Sequence, residues 1–386
     1  MKSFFARSLK KFMPNAFFAN RNTVHTKNFE TSIETLIPNN PPYICGKNAE
    51  TALNGRTIMV TGAGGSIGSE LCRQISAKKP KLLLLIDNCE SLLFETQQSL
   101  AECGISQKTI PFVADICNTS QMQAIMQKYR PQIIFHAAAL KHVPLSETQP
   151  VQTMKTNALG TFNLAKIAAE NGAEKFIFVS TDKAVNPSGV MGATKRLAET
   201  AISAIQNLPD NKTVFSCVRF GNVLGSSGSV LKTFNRQLKN GGPITITDPN
   251  ITRYFMTISQ AVGLVLECAS FAKPNKTFIL DMGAPVKIMD LAKKFIAQNN
   301  ATGKIQIKIT GLRRGEKLCE ELAYKDEICE KTENERILAF SCKATAYGGI
   351  CKTMEEIERL SYNTDTNSAK RILAEFVKEY TPQFYD

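Results

Sequence analysis

Thr181, Asp182 and Lys183 put a hydroxyl, a carboxyl and an amine in three consecutive positions. They belong to the run Ser-Thr-Asp-Lys-Ala-Val-Asn-Pro-Ser-Gly-Val-Met-Gly-Ala-Thr-Lys at 180–195. The apolar stretch before it, Phe-Ile-Phe-Val-Ser at 176–180, reads as a buried parallel strand. A loop with Asn186, Pro187 and Gly189 follows, and then a helical pattern begins. In an open α/β sheet, side chains at the carboxyl end of a strand face the crevice where ligands bind. Lys195 lies one helical turn beyond Met191, so the two share a helix face. A solvated ion pair is the plainer reading of an Asp-Lys neighbour pair. The position at the sheet's carboxyl edge argues for the functional one.

The elements that must position this run alternate in the sequence. Segments at 56–61, 82–86, 109–114, 132–138, 175–180 and Val214–Arg219 read as strands. Helical spacing fills 66–78, 91–101, 120–128, 151–171 and 191–207, with Ile67, Leu71 and Ile75 on one face of the first. The implied fold class is α/β, a Rossmann-type doubly wound parallel sheet. After Arg219 the pattern loosens into Gly-rich loops at 225–228 and 241–243 and helices at 259–270 and 288–299. That part is expected to form a smaller C-terminal substrate-binding lobe, interleaved with the last strands. The expected division is a basic arm and linker at 1–54, a cofactor-binding Rossmann domain at 55–220, the lobe at 221–325 and a helical extension at 326–386. In the extension, 354–360 and 367–380 read as helices.

The chain has 386 residues, a formal net charge of +13 and eleven cysteines. This length allows one large or two modest domains with an ample core. No apolar run approaches the roughly 18–20 residues needed to span a bilayer. The cysteines lack paired spacing, which argues against a disulfide framework or a zinc site and for a reducing compartment; no metal is expected. Lys2, Arg7, Lys10, Lys11, Arg21 and Lys27 all precede the first acid, Glu30. Interleaved with Phe4, Phe5, Phe12, Phe17 and Phe18, they could form an amphipathic helix on a membrane surface, a transit peptide or a disordered arm. The expected location is the cytoplasm, with peripheral contact at the inner membrane face through residues 1–29. No nucleic-acid module is visible, so the basic charge points to an anionic small molecule or an acidic membrane, not to nucleic acid.

Val-Thr-Gly-Ala-Gly-Gly-Ser-Ile-Gly at 60–68 joins the first strand to the first helix. Gly62, Gly65 and Gly68 let backbone amides approach a pyrophosphate. Ser66 and Ile67 open a helix whose N-terminal N–H groups point at it. Asp87 ends the next strand, nineteen residues after Gly68. A carboxylate there accepts both ribose hydroxyls of an adenosine and repels a 2′-phosphate, so NAD is expected over NADP. Asp115 and Ile116 end the third strand, where adenine would lie. Ala137, Ala138 and Ala139 follow the fourth and leave room for a dinucleotide. His136 beside them is given no chemical role.

Four stretches together resemble the extended short-chain dehydrogenase/reductases. They are the loop at 61–68, Ala-Ala-Ala-Leu-Lys-His-Val-Pro at 137–144, Asn157 in Thr-Asn-Ala-Leu-Gly, and the run at 180–195. More narrowly they resemble the bacterial nucleotide-sugar 4,6-dehydratases of capsule, O-antigen and glycan synthesis, which act on UDP-N-acetylglucosamine. The resemblance covers 55–323; Arg253-Tyr-Phe and Arg313-Arg-Gly-Glu-Lys also fit. It implies tightly bound NAD, with Asn157 and Lys195 among its contacts and Lys195 on the nicotinamide ribose. It implies Thr181 on the sugar C4 hydroxyl and Asp182 as the acid that protonates the leaving C6 hydroxyl. Lys183 would be the base at C5, its pKa depressed beside Lys195 and NAD. The family's usual Tyr, four residues before the Lys, is Met191 here, and a thioether cannot hold or release a proton. This substitution resembles the membrane-anchored subgroup that retains configuration at C5. Lys141, Asn222, Ser229, Arg253, Arg314 and Glu316 are expected at the UDP-sugar, with Arg253 and Arg314 on the diphosphate and Glu316 on the uridine ribose. A homo-oligomer is expected, because the family often pairs through two helices of the sheet. A UDP-sugar 4-epimerase would keep a Tyr at 191 and need no Asp182/Lys183 pair. A non-catalytic sugar-nucleotide-binding protein is the other rival, and the intact 181–183 triplet argues against it.

Overall fold

The computed structural model describes Leu36, Tyr43 and residues 45–384, apart from 105–107, 342–344 and 361–364. The basic arm at 1–29, with the membrane contact expected of it, lies outside the described residues. No described helix is long and apolar enough to cross a membrane.

Six parallel strands carry the fold: β1 (Thr57–Thr61), β2 (Leu82–Asp87), β3 (Thr109–Val113), β4 (Ile133–His136), β5 (Lys175–Val179) and β6 (Val214–Arg219). Their spatial order is β3-β2-β1-β4-β5-β6. Lys276–Leu280 adds to β6 in parallel, and Ile337–Ser341 and Cys329–Lys331 extend that edge antiparallel. The chain winds outward one way from β1 and the other way from β4. The gap between those two is the switch point at which open α/β sheets bind ligands.

Alternate strand residues enter two separate cores, as a pleat with a period of two requires. Met59, Leu84, Ile86, Ile134, Phe176 and Phe178 pack under one helical layer. Ile58, Val60, Leu83, Leu85, Phe135 and Ile177 pack under the other. Coverage on both faces is why these strands are apolar at nearly every position. A third core, including Leu231, Phe234, Ile246, Phe255, Leu291 and Phe295, builds the smaller lobe.

Three features depart from the expectations. The linker contains a helix, Lys47–Leu53, whose Ala49 and Leu53 are buried and which packs on the helix Ile258–Ser270. Two apolar contacts in seven residues are too few to show as a period. The single helix at 151–171 is broken into Pro150–Met154, a π-turn at Lys155–Gly160, and Thr161–Glu170. The extension begins with two strands of the main sheet, so the boundaries at 220 and 325 do not divide that sheet. The two helices expected in the extension form at Tyr347–Leu360 and Thr366–Phe376, the first starting seven residues earlier than expected, and lie on the helix Val190–Gln206 and on the 150–160 segment. Ile350, Met354, Ile357 and Leu373 share a core with Leu197, Ala201 and Ile205. The outer faces through which a second copy could pair are covered there by the chain itself.

Candidate active site

The glycine turn after β1 is shaped by close approach. Gly62 has φ +68°, and a Cβ on it would stand 2.7 Å from the Ala138 nitrogen. A Cβ on Gly68 would stand 1.8 Å from the Gly62 carbonyl oxygen. The Gly65 N–H closes the turn on that same carbonyl at 3.0 Å. Ser66 Oγ accepts the Ser227 N–H at 3.0 Å and ties the turn to the 225–229 loop. Asp87 sits where the sequence put it, at the end of β2. Its Oδ2 accepts the Gly64 N–H at 2.8 Å and its Oδ1 the Cys89 N–H at 2.9 Å. Each carboxylate oxygen has a second lone pair to offer a ribose hydroxyl. The turn, the Asp87 carboxylate and the small Ala137 and Ala139 walls suit a dinucleotide.

Three residues expected near the cofactor have the following surroundings. Ile116 is buried in the core against Gly160, while Asp115 is exposed and caps Cys117. Asn157 is fully buried: it accepts from the Leu140 N–H at 2.8 Å and donates to the Leu140 carbonyl at 2.9 Å and to Thr194 at 3.1 Å. It fixes the 137–141 segment and does not face the crevice.

The crevice over β4, β5 and β6 is a cavity of about 290 Å³ lined by Ile67, Ala137, Ala139, Thr181, Met191 and Lys195, among others. A neighbouring cavity of about 230 Å³ shares Lys183, Met191 and Asn222 and reaches Arg253, Glu316 and Glu320. The strand end at Val179 and a 3-10 turn, Asp182–Ala184, bring Thr181 and Lys183 to the cavity wall, with Asp182 buried behind them. The Thr181 hydroxyl donates to Asp182 Oδ1 at 2.9 Å. Lys183 Nζ donates to the same oxygen at 2.9 Å and to Asn222 Oδ1 at 3.2 Å. Asp182 is fully buried, and its Oδ2 has no hydrogen-bond partner. Ser229 Oγ and Glu320 Oε2 share that condition. Ser229 lines the first cavity and Glu320 the second, where a polar ligand would satisfy their oxygens.

Electrostatics separate the two lysines and correct one expectation. Burial alone would lower the Lys183 pKa, but Asp182 and Glu320, the latter 3.7 Å away, outweigh it and raise the pKa. Lys183 is therefore held as the ammonium, not poised as a depressed base. Lys195 is the depressed amine: burial brings it down to about 7, against an opposing pull from Glu199. Its Nζ stands 4.0 Å over the Phe178 ring. His136 is fully buried between Thr61 and Thr161 at 2.6 and 2.8 Å, and burial lowers it to about 3. It is a neutral structural group.

The substrate residues are partly engaged with one another. Arg253 donates to the carbonyls of Thr252, Lys317 and Leu318 at 2.7, 2.8 and 3.2 Å. It also lies 3.5 Å from Glu316 and 3.6 Å from Glu320. Arg253 thus organises the 316–320 segment. Arg314 donates to the Phe384 carbonyl at 3.1 Å, and Glu316 accepts from Thr247 and from the Arg313 N–H. Lys141 is exposed at the mouth. Sequence reading missed Glu320, buried between Lys183 and Arg253. Its setting in Leu-Cys-Glu-Glu-Leu carries no periodic or motif signal.

A doubly wound sheet, a glycine turn after β1, a carboxylate ending β2 and a lysine on the helix after β5 mark an extended short-chain dehydrogenase/reductase, with Met191 standing where its Tyr usually does. Within that class the chain belongs to the polysaccharide biosynthesis protein family, whose sequence pattern matches residues 58–342. It is 45% identical over 310 residues to the capsular polysaccharide biosynthesis protein CapD of Staphylococcus aureus, covering 80% of this chain and 52% of CapD. The chain spans about half of that relative's length. Two other relatives are each 33% identical. One is the UDP-N-acetylglucosamine 4,6-dehydratase (inverting) of Campylobacter jejuni, with 75% of this chain and 83% of that protein covered. The other is the UDP-glucose 4-epimerase of Rickettsia rickettsii, with 71% and 80% covered. The crystal structure of Pen from Bacillus thuringiensis superposes with a TM-score of 0.70 at 30% identity, over 81% of this chain and 98% of Pen.

Proposed function

We propose that the chain is an NAD-dependent 4,6-dehydratase of UDP-N-acetylglucosamine, giving a UDP-4-keto-6-deoxy-N-acetylhexosamine for surface polysaccharide. The observation that carries this reading is the Thr181–Asp182–Lys183 cluster with Met191 beside it. An epimerase moves one hydride at C4 and needs a single base there. A dehydratase must also take a proton from C5 and deliver one to the departing C6 hydroxyl. Lys183 lines this crevice with Asp182 bonded behind it, and no Tyr is among the described residues that line it.

The β1 glycine turn and Asp87 would hold NAD, which would supply the hydride chemistry between C4 and C6. Asp87 favours NAD over NADP, because a 2′-phosphate would meet its carboxylate. Lys195, which lines the crevice beside Met191, would hold the nicotinamide ribose. Thr181 orients the C4 hydroxyl, and its 2.9 Å bond to Asp182 gives the C4 proton a path that Met191 cannot offer. Two protons leave the sugar for the Thr181/Asp182/Lys183 cluster, one from the C4 hydroxyl and one from C5, and two return, one to the departing C6 oxygen and one to C5 as hydride adds at C6, so water departs and the cluster ends with the protons it began with. Lys183, held as the ammonium, is the member of the Asp182/Lys183 pair with a proton to give. Lys141, Asn222, Ser229, Arg253 and Glu316 line the two cavities and are the groups for the UDP-sugar, whereas Arg314 lines neither and is turned to the Phe384 carbonyl. CapD and the Campylobacter dehydratase support the reading.

The test is proton NMR of UDP-N-acetylglucosamine with the protein and NAD in D₂O. A new C6 methyl signal, simplified by deuterium at C5, beside a 4-keto or hydrated product is the expected result. The galacto epimer alone would make the chain an epimerase. Unchanged sugar with NAD bound would point to another nucleotide sugar or to a binding protein.

A further inference from the structure

Glu147, on the short helix Val143–Thr148, is buried to 2% exposure outside the proton-transfer cluster. Its Oε1 accepts the Val190 N–H at 2.7 Å. That N–H is one of the free donors in the first turn of the helix carrying Met191 and Lys195. The same oxygen packs between two glycines: a Cβ on Gly189 would stand 2.9 Å from it, and one on Gly315 2.8 Å. Ser188 Oγ adds a bond to the Gly315 carbonyl at 3.0 Å. One carboxylate therefore pins the start of the Met191/Lys195 helix to the segment bearing Arg314 and Glu316.

Its counter-charge comes from far along the chain. Lys370, fully buried on the helix Thr366–Phe376, reaches Glu147 Oε2 at 2.7 Å and the Gln383 carbonyl at 2.7 Å. A few residues on, the Phe384 carbonyl accepts from Arg314. An apolar cover over the 150–160 and 190–206 helices would not need a buried lysine. A hydrophobic side chain of similar volume would fill that place without desolvating a charge.

We propose that Lys370 is a positioning residue: acting through Glu147, the C-terminal helix sets where the Met191/Lys195 helix begins and how it meets the 313–317 segment. Without Lys370, the Glu147 carboxylate is left buried and unpaired. It then turns toward water or takes up a proton, and its hold on Val190 weakens. The proposal rests on the dehydratase reading for its kinetic readout alone.

Three variants of the full chain with NAD test it: Lys370→Met, Lys370→Met with Glu147→Gln, and Lys370→Met with Glu147→Leu. Amide exchange of a peptide spanning 187–196 is measured beside steady-state rates. Lys370→Met is expected to speed exchange there while leaving the 60–68 turn unchanged, and to lower kcat about tenfold with less effect on KM. Adding Glu147→Gln restores most of both, because a neutral amide oxygen accepts the Val190 N–H without a counter-charge; Glu147→Leu restores neither. Wild-type exchange and rates in Lys370→Met, or equal behaviour of the Gln and Leu pairs, overturn the proposal. If Lys370→Met alone does not fold, the two uncharged pairs still decide. A wild-type protein that makes no keto sugar defeats the dehydratase reading, and the exchange comparison still judges Lys370.

Discussion

Lys183 and Lys195 line the same crevice and meet opposite surroundings, and their chemistry diverges for that reason. Lys183 has carboxylates at 2.9 and 3.7 Å, whereas Lys195 faces an aromatic ring and loses its water. A lysine lowered to about 7 in the folded state, against an ordinary 10.5, opposes folding wherever it is still charged. That opposition is full below about pH 7, because both states are then protonated. It shrinks as pH rises, because the folded state sheds its proton first, and it is gone above 10.5, the ordinary value. Cofactor-free Lys195→Met should therefore resist urea better than wild type at pH 6–7, with the advantage closing toward pH 10. Urea midpoints across that range check the sign. Asp182→Asn keeps the shape of the turn and removes the acceptor for a proton. It should lower kcat by about 10²–10⁴-fold with little change in KM, read by product formation.

At the scale of elements, the β1 turn and the 137–139 segment share one gap and leave no room for a side chain. Gly62→Ala would force a positive φ on an L residue and drive its Cβ into the Ala138 backbone. NAD affinity should fall at least about tenfold, ~1.4 kcal/mol, in a calorimetric titration. The break in the 151–171 helix shows a limit of periodicity. Pro150 starts its short helix at the N-terminal position where proline is tolerated, and so marks a beginning. The π-turn that follows buries Asn157 under Leu140, a tertiary contact without local signature.

For the whole molecule, the extension decides which surfaces remain available. Phe162 meets Tyr347 at a ring distance of 6.1 Å, and Ile350, Met354 and Leu373 cover the helices behind β4 and β5. Pairing through those helices would require the extension to leave. Removing residues 345–386 should bare that apolar face and drive self-association, whereas the full chain should show none through it. Light scattering on both proteins separates the outcomes.

What the sequence determined by itself is local. Six apolar strands, the glycine turn, Asp87 after β2 and the Thr181–Lys183 triplet at a strand end follow from spacing, chirality and the geometry of parallel sheets. The tertiary structure alone decided the partners of the charges. Glu147 meets Lys370 across 223 residues, and Glu320 settles between Lys183 and Arg253. Charged side chains are ordinarily solvated, so no pattern along the chain marks which of them will be buried. Their burial and their pKa values arise only when distant segments close over them. That closure is also why Lys183 is an ammonium and Lys195 the amine with a lowered pKa.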